Sequence, residues 1–216
     1  MVKLVVYDLD GTLVDTRRDI AEATNHMRGE MGLPPMPEKE ICGYVGLGLQ
    51  SLVEGCLGTV DLVKVEEGTR VYRAYYSRHL LDHTVLYPGA REVLEHFRLC
   101  RQAVITNKPD PYSRQLLEAL GVAGYFMEIV AGNSGYPKKP DPASLKALML
   151  KGGAGPAGTL LVGDSPIDVE TGLKVGVPTV ALAQGFADRG ELERSGPDYL
   201  IEDFEELLEL AKEKSW

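Results

Sequence analysis

The chain's 216 residues, 44% of them hydrophobic, suit one domain, or a core domain with a small insert, around a real core. A formal net charge of -9 argues against nucleic acid or an anionic membrane as a partner, so any bound phosphate must be met by local cations. No stretch reaches the roughly 18 apolar residues of a membrane span, and Met1-Val2-Lys3 enters a strand without a signal-peptide profile, which makes a cytoplasmic location the expectation.

Val2–Tyr7 is an apolar, β-branched run of strand length, and Asp8-Leu9-Asp10-Gly11-Thr12 follows at once. Side chains alternate along a strand, so Asp8 and Asp10 share one side and Leu9 opposes them. Two adjacent carboxylates repel unless a cation bridges them or one holds a proton. A hard cation such as Mg2+ takes oxygen ligands and brings substrate phosphates with it. Gly11 allows a sharp turn, after which its amide and that of Thr12 are available to an anion. The same residue types also build ordinary solvated turns.

From Arg17 to Asp82 the pattern is helical, with no strand. Ile20, Ala23, Met27 and Met31 fall on one face, with Gly32 as the stop. Leu33–Pro37 is a rigid connector, and a short helix starts at Glu38. Gly43–Gly48 breaks the pattern and Leu49–Val53 resumes it. Val65–Leu81 is a further helix carrying Tyr72, Tyr75 and Tyr76. The three cysteines, Cys42, Cys56 and Cys100, form no C-x-x-C and read as reduced thiols, with a Cys42–Cys56 pairing left open. The histidines (His26, His79, His83, His96) show no ligand spacing.

Tyr87-Pro88-Gly89 opens a helix over Ala90–Phe97, and strands then alternate with helices. The strand candidates are Ala103–Thr106, Met127–Ala131, Thr159–Val162 and Thr179–Ala183, with Tyr199–Ile201 as a last edge strand before a terminal helix holding Phe204, Leu207, Leu208 and Ala211. This alternation reads as a parallel, doubly wound sheet. Asp110-Pro111, Asp141-Pro142 and Ser165-Pro166 each place a capping residue before a proline at the first helical position. Three helix N-termini should therefore crowd the carboxyl edge of the sheet, where anions are favoured and ligands of open α/β sheets bind.

Three later stretches carry chemistry. Thr106-Asn107-Lys108-Pro109 places a hydroxyl and an amide at a strand end, suited to phosphate oxygens. Lys138-Lys139-Pro140-Asp141-Pro142 offers a cation for a phosphoryl group, but K-P-D-P occurs twice, at Lys108–Pro111 and Lys139–Pro142, so spacing alone does not choose the lysine. Leu160–Val162 ends in Gly163-Asp164-Ser165-Pro166-Ile167-Asp168, which adds another carboxylate. Asp168, three residues after a Ser N-cap, also fits a capping box.

D-L-D-G-T, T-N-K-P, K-K-P-D-P and G-D-S-P-I-D, in this order and each at a strand end, resemble the four signatures of the haloacid dehalogenase-like hydrolase superfamily, and most of all its phosphoglycolate phosphatase branch. Members usually carry Phe where this chain has Tyr7. The resemblance implies an α/β fold: a doubly wound, Rossmann-like parallel sheet in a core of residues 1–16 and 83–216, with a small all-helical cap of residues 17–82 inserted after the first strand. It implies Asp8 as a nucleophile that becomes an aspartyl-phosphate, Asp10 as acid and base, and Mg2+ held by the Asp8 side chain, the Asp10 backbone carbonyl and Asp164. Thr106, Asn107 and Lys139 would grip the phosphate together with the Gly11 turn. Lys108 and Lys138 would be peripheral, and Asp168 would cap its helix or bond Lys139 or a metal-bound water. Asp10 excludes the dehalogenases of the superfamily, which lack that second acid.

The implied activity is Mg-dependent hydrolysis of a small phosphomonoester, 2-phosphoglycolate being favoured. Phosphatases for pyrophosphate, a nucleotide or a sugar phosphate, and a phosphoglucomutase, are same-fold alternatives. A non-catalytic phosphate- or metal-binding module is the alternative of another class. The expected partner is a small-molecule phosphate ester, and the chain a monomer or homodimer. A carboxylated substrate would want a cation from the cap, where Arg17, Arg18, Lys39 and Arg73 are available. The Gly43–Gly48 loop is flexible enough to reach over the core.

Overall fold

A computed structural model describes residues 1–216. In chain order it runs β1 (Leu4–Tyr7), β2 (Val14–Asp15), α1 (Arg17–Glu30), α2 (Glu38–Cys42), α3 (Leu49–Leu57), α4 (Leu62–His79), β3 (Val85–Leu86), α5 (Ala90–His96), β4 (Arg101–Ile105) and α6 (Tyr112–Ala119). There follow β5 (Glu128–Val130), α7 (Ala143–Gly152), β6 (Thr159–Gly163), α8 (Pro166–Leu173), β7 (Thr179–Leu182), α9 (Arg189–Ser195), β8 (Tyr199–Ile201) and α10 (Phe204–Lys214). No helix is long and apolar enough to cross a membrane.

Six strands form one parallel sheet in the order β5-β4-β1-β6-β7-β8. β1 sits near its centre, between β4 and β6, so the chain departs to opposite sides from neighbouring strands. That is the switch point at which ligands of doubly wound sheets collect. β1 is buried on both faces, as a parallel strand covered by helices must be. Val5 and Tyr7 join the larger apolar cluster, while Leu4 and Val6 join a smaller one under α7 with Leu145 and Leu148. Tyr7 is fully buried, and its hydroxyl donates to Gln102 Oε1 at 3.1 Å, so a phenol is tolerated on this core face because a buried amide receives it.

The helices α1–α4 lie between β2 and β3 in sequence. Those two-residue strands pair antiparallel and form the two chain crossings between helices and sheet. They are too short to leave a periodic signal. The larger apolar cluster runs without a break from the sheet (Tyr7, Leu9, Leu13) into the helices (Ile20, Met27, Leu52, Tyr76). Asp19, buried in the first turn of α1, accepts hydrogen bonds from the His83 and Thr84 amides and from Thr84 Oγ1 at 2.7–3.1 Å. This carboxylate fastens the outgoing chain to the returning one.

Two local expectations shift. Only Ser165-Pro166 places its proline at the first helical position. At Asp110-Pro111 and Asp141-Pro142 the proline itself occupies the cap, with φ of -85° and -83°, and the helix begins one residue later. The acids still serve these ends: Asp141 Oδ1 accepts from the Ala143 amide at 2.8 Å, and Asp110 accepts from Ser113 Oγ and the Arg114 amide. Cys42, Cys56 and Cys100 are free thiols, so the Cys42–Cys56 pairing left open by the sequence is not made.

Candidate active site

Asp8 follows β1, Thr106 follows β4, and Asp164 follows β6, so three neighbouring strands deliver their next side chains to one edge. Asp8, Asp164 and Asp168 each offer a carboxylate oxygen, and these oxygens lie within 4.8 Å of one another. All three residues are buried. Burial is the chief reason that the carboxyl pKa of Asp8 is pushed up to about 8, Lys139 working against it and the charges of Asp168 and Asp164 adding to it. Asp164 is raised to about 7 for the same first reason, with Asp168 next.

Lys139, from the loop before α7, is the cation at the centre of this group. Its Nζ stands 2.7 Å from Asp8 Oδ1 and 2.6 Å from Asp168 Oδ1. Burial disfavours its ammonium, but Asp168 and Asp8 outweigh that and carry its pKa above the ordinary lysine value. Asp168 is spent on both sides. Its Oδ1 accepts from Lys139, and its Oδ2 accepts from the amide and hydroxyl of Ser165 at 3.2 and 2.6 Å. The two roles weighed for it, helix cap and partner of Lys139, are therefore filled together.

Asp8 and Asp164 keep capacity. Asp8 Oδ1 accepts no hydrogen bond of proper geometry despite the nearby ammonium. Asp164 accepts one bond on each oxygen, from Thr12 Oγ1 and from the Phe186 amide, both at 2.8 Å, which leaves lone pairs unused. A Cβ at Gly11 or Gly185 would come within 2.2 Å of the Asp164 side chain, so the chain is stripped back around this carboxylate. An all-oxygen set of buried acids short of positive charge suits a hard divalent cation. The residues here fit such an ion.

Asp10 lies apart from those acids in its bonding. Its Oδ1 accepts from Thr16 Oγ1 at 2.8 Å, and Lys108 Nζ donates to both oxygens at 3.0 and 3.2 Å. Lys108 is thus not peripheral: its side chain is 6% exposed, and its Nζ sits 4.7 Å above the Tyr76 ring. The spacing of the two K-P-D-P strings hid this, because the burial of Lys108 is imposed by a helix thirty residues upstream. Lys138 is exposed. The Gly11 amide, expected to face an anion, donates to Val14 O at 2.9 Å, and the Thr12 amide to Leu9 O at 3.2 Å. The turn closes on itself, because Leu9 O collects the amides of Thr12, Leu13 and Val14.

Thr106 and Asn107 present donors of two kinds. Thr106 Oγ1 accepts from the Lys108 amide at 3.1 Å and keeps its proton free. The Asn107 backbone amide donates to no group in the chain, whereas its side chain is fully engaged. Asn107 Nδ2 donates to Gly46 O at 2.7 Å and to Lys139 O, and Asn107 Oδ1 accepts from the Lys139 amide. That side chain therefore locks the Gly43–Gly48 loop onto the strand edge. Gly48, with φ +95°, passes so close that a Cβ would lie 3.3 Å from Asn107 O and 2.6 Å from Lys138 Nζ.

The loop borders a pocket of about 230 Å³ lined by Asp8, Asp10, Asp164 and Phe186, and beside it a smaller cavity of about 50 Å³ that also meets Asp8 and Asp10. Ile20, Leu49, Leu52, Tyr72, Tyr76 and Tyr112 make the smaller cavity's apolar wall, and Lys108 is the one cation among its lining residues. The four cations considered for the helices are placed elsewhere. Arg17 is held by Asp15, Tyr87 and Gln184 O, and Arg18 by Glu22. Arg73 lines a separate outer groove with Leu62 and Thr69, and Lys39 is exposed.

A family model described as haloacid dehalogenase-like hydrolase matches residues 5–182. The chain is 36% identical to the phosphoglycolate phosphatase of Chromobacterium violaceum, over 98% of this chain and 97% of that protein. It is also 36% identical to the phosphoglycolate phosphatase of Pseudomonas syringae pv. syringae, over 95% of this chain and 78% of that one. Among solved structures, that of a predicted phosphoglycolate phosphatase from Haemophilus somnus superposes with a TM-score of 0.92 at 30% identity, covering 97% of this chain and 98% of that one.

Proposed function

The chain belongs to the haloacid dehalogenase-like hydrolase family and is a phosphatase, and we propose that it hydrolyses a small phosphomonoester, 2-phosphoglycolate by preference, with Mg2+ as its ion. The observation that carries this reading is the meeting of Asp8, Asp164 and Lys139 at one sheet edge, where two small cavities open beside Asp8 and Asp10. In this reading residues 1–16 and 83–216 are the catalytic core, and 17–82 are a cap that closes over it.

Asp8 is the nucleophile. Its carboxylate attacks phosphorus, the ester P–O bond breaks, and an aspartyl-phosphate forms. Asp10, free of metal through its side chain, gives a proton to the departing alcohol oxygen. Water then attacks the phosphorus of the acyl phosphate, Asp10 takes the proton from that water, and phosphate leaves with Asp8 restored. Lys139, the Thr106 hydroxyl and the Asn107 amide hold the phosphoryl oxygens as charge builds on them. The Asp8 and Asp164 side chains, with the Asp10 backbone carbonyl, would hold Mg2+, which supplies a positive charge against the phosphate. Gly11 contributes space beside Asp164 in this scheme and no amide. Phosphate release from 2-phosphoglycolate, with nucleotide and sugar phosphates alongside, in Mg2+ and in chelator, tests the reading. Release from none of them in Mg2+ would overturn it.

The raised carboxyl groups make a pH prediction. Asp8 and Asp164 hold protons in the folded, metal-free chain up to about 8 and about 7, whereas unfolded carboxyls release theirs near about 4. Between those limits the folded state binds more protons, so stability falls as pH rises. The melting temperature in chelator is expected to drop steadily from pH about 5 to about 8, and Mg2+ to raise it most at the upper end, where both acids are ionised. Thermal melts across that range, with and without Mg2+, measure it.

The loop contact makes another. Gly48→Ala strains a left-handed backbone and crowds Asn107 O, so the cap should close less often. A fall of roughly tenfold in kcat/KM is expected, with stability lowered by about 1–2 kcal/mol. Steady-state kinetics beside a denaturant melt separates the two effects.

A further inference from the structure

We propose that Lys108, with the Tyr76 hydroxyl beside it, is the subsite that recognises a carboxylate on the substrate's leaving group and so sets specificity. The inference rests on the phosphatase reading above and assigns it a selecting residue. Two cavities meet Asp8 and Asp10: the larger, which also takes in Asp164, has no cation in its lining, and the smaller has Lys108, so the smaller is the one suited to a charged organic tail. A volume of about 50 Å³ suits a short acyclic tail. Its walls are apolar or aromatic, so a charged tail needs a named partner there.

Lys108 is the one cation in that lining, and it is already desolvated. Its ammonium is held by Asp10 alone among acids and by the face of Tyr76, which leaves it in reach of a second anion entering the cavity. Tyr76 supplies an independent observation. It is 1% exposed, lines the same cavity, and its hydroxyl has no hydrogen-bond partner anywhere in the chain. A buried phenol without a partner is uncommon, and an acceptor on the ligand would supply the missing one. Tyr72 stacks on Tyr76 at 5.3 Å and Tyr112 meets it edge-on at 5.3 Å, so the ring is fixed in place before the ligand arrives. No arginine or lysine of the helices competes for this role, because each one considered is paired, outward or outside the cavity.

The test compares two esters of matched length, 2-phosphoglycolate and ethyl phosphate, which differ by the carboxylate. The wild-type protein in Mg2+ is expected to prefer the carboxylated ester by about 100-fold in kcat/KM. Lys108→Met should cut that ratio by about 30-fold, mainly through KM, and Tyr76→Phe by about fivefold, each being the loss of one donor to a carboxylate. A second readout needs no turnover. Calorimetric binding of 3-phosphonopropionate and propylphosphonate to the Mg2+-loaded protein should show the same preference in the wild type and the same two reductions in the variants. Equal losses on both esters, or an unchanged ratio, would overturn the subsite while leaving the phosphatase reading in place. Absence of hydrolysis of either ester by the wild type would remove the phosphatase reading, and the subsite with it. Tyr76→Phe keeps the ring and its packing, so the proposal remains testable if Lys108→Met fails to fold.

Discussion

Asp8→Asn is expected to leave a folded protein whose turnover is lower by roughly 10⁴-fold or more, the scale at which removal of a covalent nucleophile acts. The amide has the shape of the carboxylate but cannot attack phosphorus. It also cannot be trapped, so acid-quenched reactions with labelled ester should retain label on the wild-type chain and none on the variant. The same change has a second signature that argues from the apo state. Asp8 is buried, with Asp164 and Asp168 near it, and its pKa is pushed up to about 8. Above that pH its charge costs stability in the metal-free chain, and a neutral side chain removes the cost. The variant should therefore melt higher than the wild type in chelator at high pH, and the gap should close as the pH falls and Asp8 takes up its proton. A variant that turned over ester near the wild-type rate would end the covalent scheme. One that lost activity together with its fold would show a scaffolding role, and the melts exclude or detect that directly.

The legibility of this site in the sequence follows the range of the interactions that build it. Asp8 and Asp10 were readable because strand alternation is a local rule, and Leu9 between them is buried as that rule requires. Asp164 and Asp168 are readable from equally local rules, one directly following β6 and the other closing a capping box three residues after Ser165. Lys108 was misread because nothing near it in sequence tells that Tyr76 and Tyr112 will cover it. Its burial is a tertiary fact, and its partner Asp10 is 98 residues away. The Gly11 amide was misread for the opposite reason. Its competitor, Val14 O, is only three residues on, and turn closure took the donor that an anion was expected to receive. Likewise Asp110 and Asp141 were recognised as helix-starting acids, but each adjoining proline sits in the turn before its helix, so each helix begins a residue late. The Asn107 amide is expected at the phosphate; its side chain is the clasp between strand edge and loop, and its backbone amide has no partner in the chain.

The two lysines divide the acids between them, and the consequence is sharpest at Lys139. It is 4% exposed and is the one cation within ion-pairing distance of both Asp8 and Asp168. Lys139→Met fills the same volume without charge and leaves two buried carboxyls facing each other. Breaking a buried ion pair from one side costs about 3–5 kcal/mol, so a loss of that size is expected in denaturant melts at neutral pH. The loss should depend on pH in a defined direction. Without the ammonium that lowers it, the Asp8 carboxyl binds its proton more tightly in the folded state, so the variant approaches wild-type stability in acid and falls away from it as pH rises. Mg2+ should return part of the difference, since Asp8 would help to hold it while the Asp168 oxygen that Lys139 occupied would stay without its partner. Activity should not return with it. In the proposed mechanism Lys139 holds the phosphoryl oxygens as charge develops on them, and loss of such a group is expected to cost roughly 10³-fold in kcat even in saturating Mg2+. Recovery of both stability and turnover by Mg2+ would show that Lys139 is merely a counter-ion for crowded acids. Recovery of stability alone would separate its structural charge pairing from its hold on the transferring phosphate.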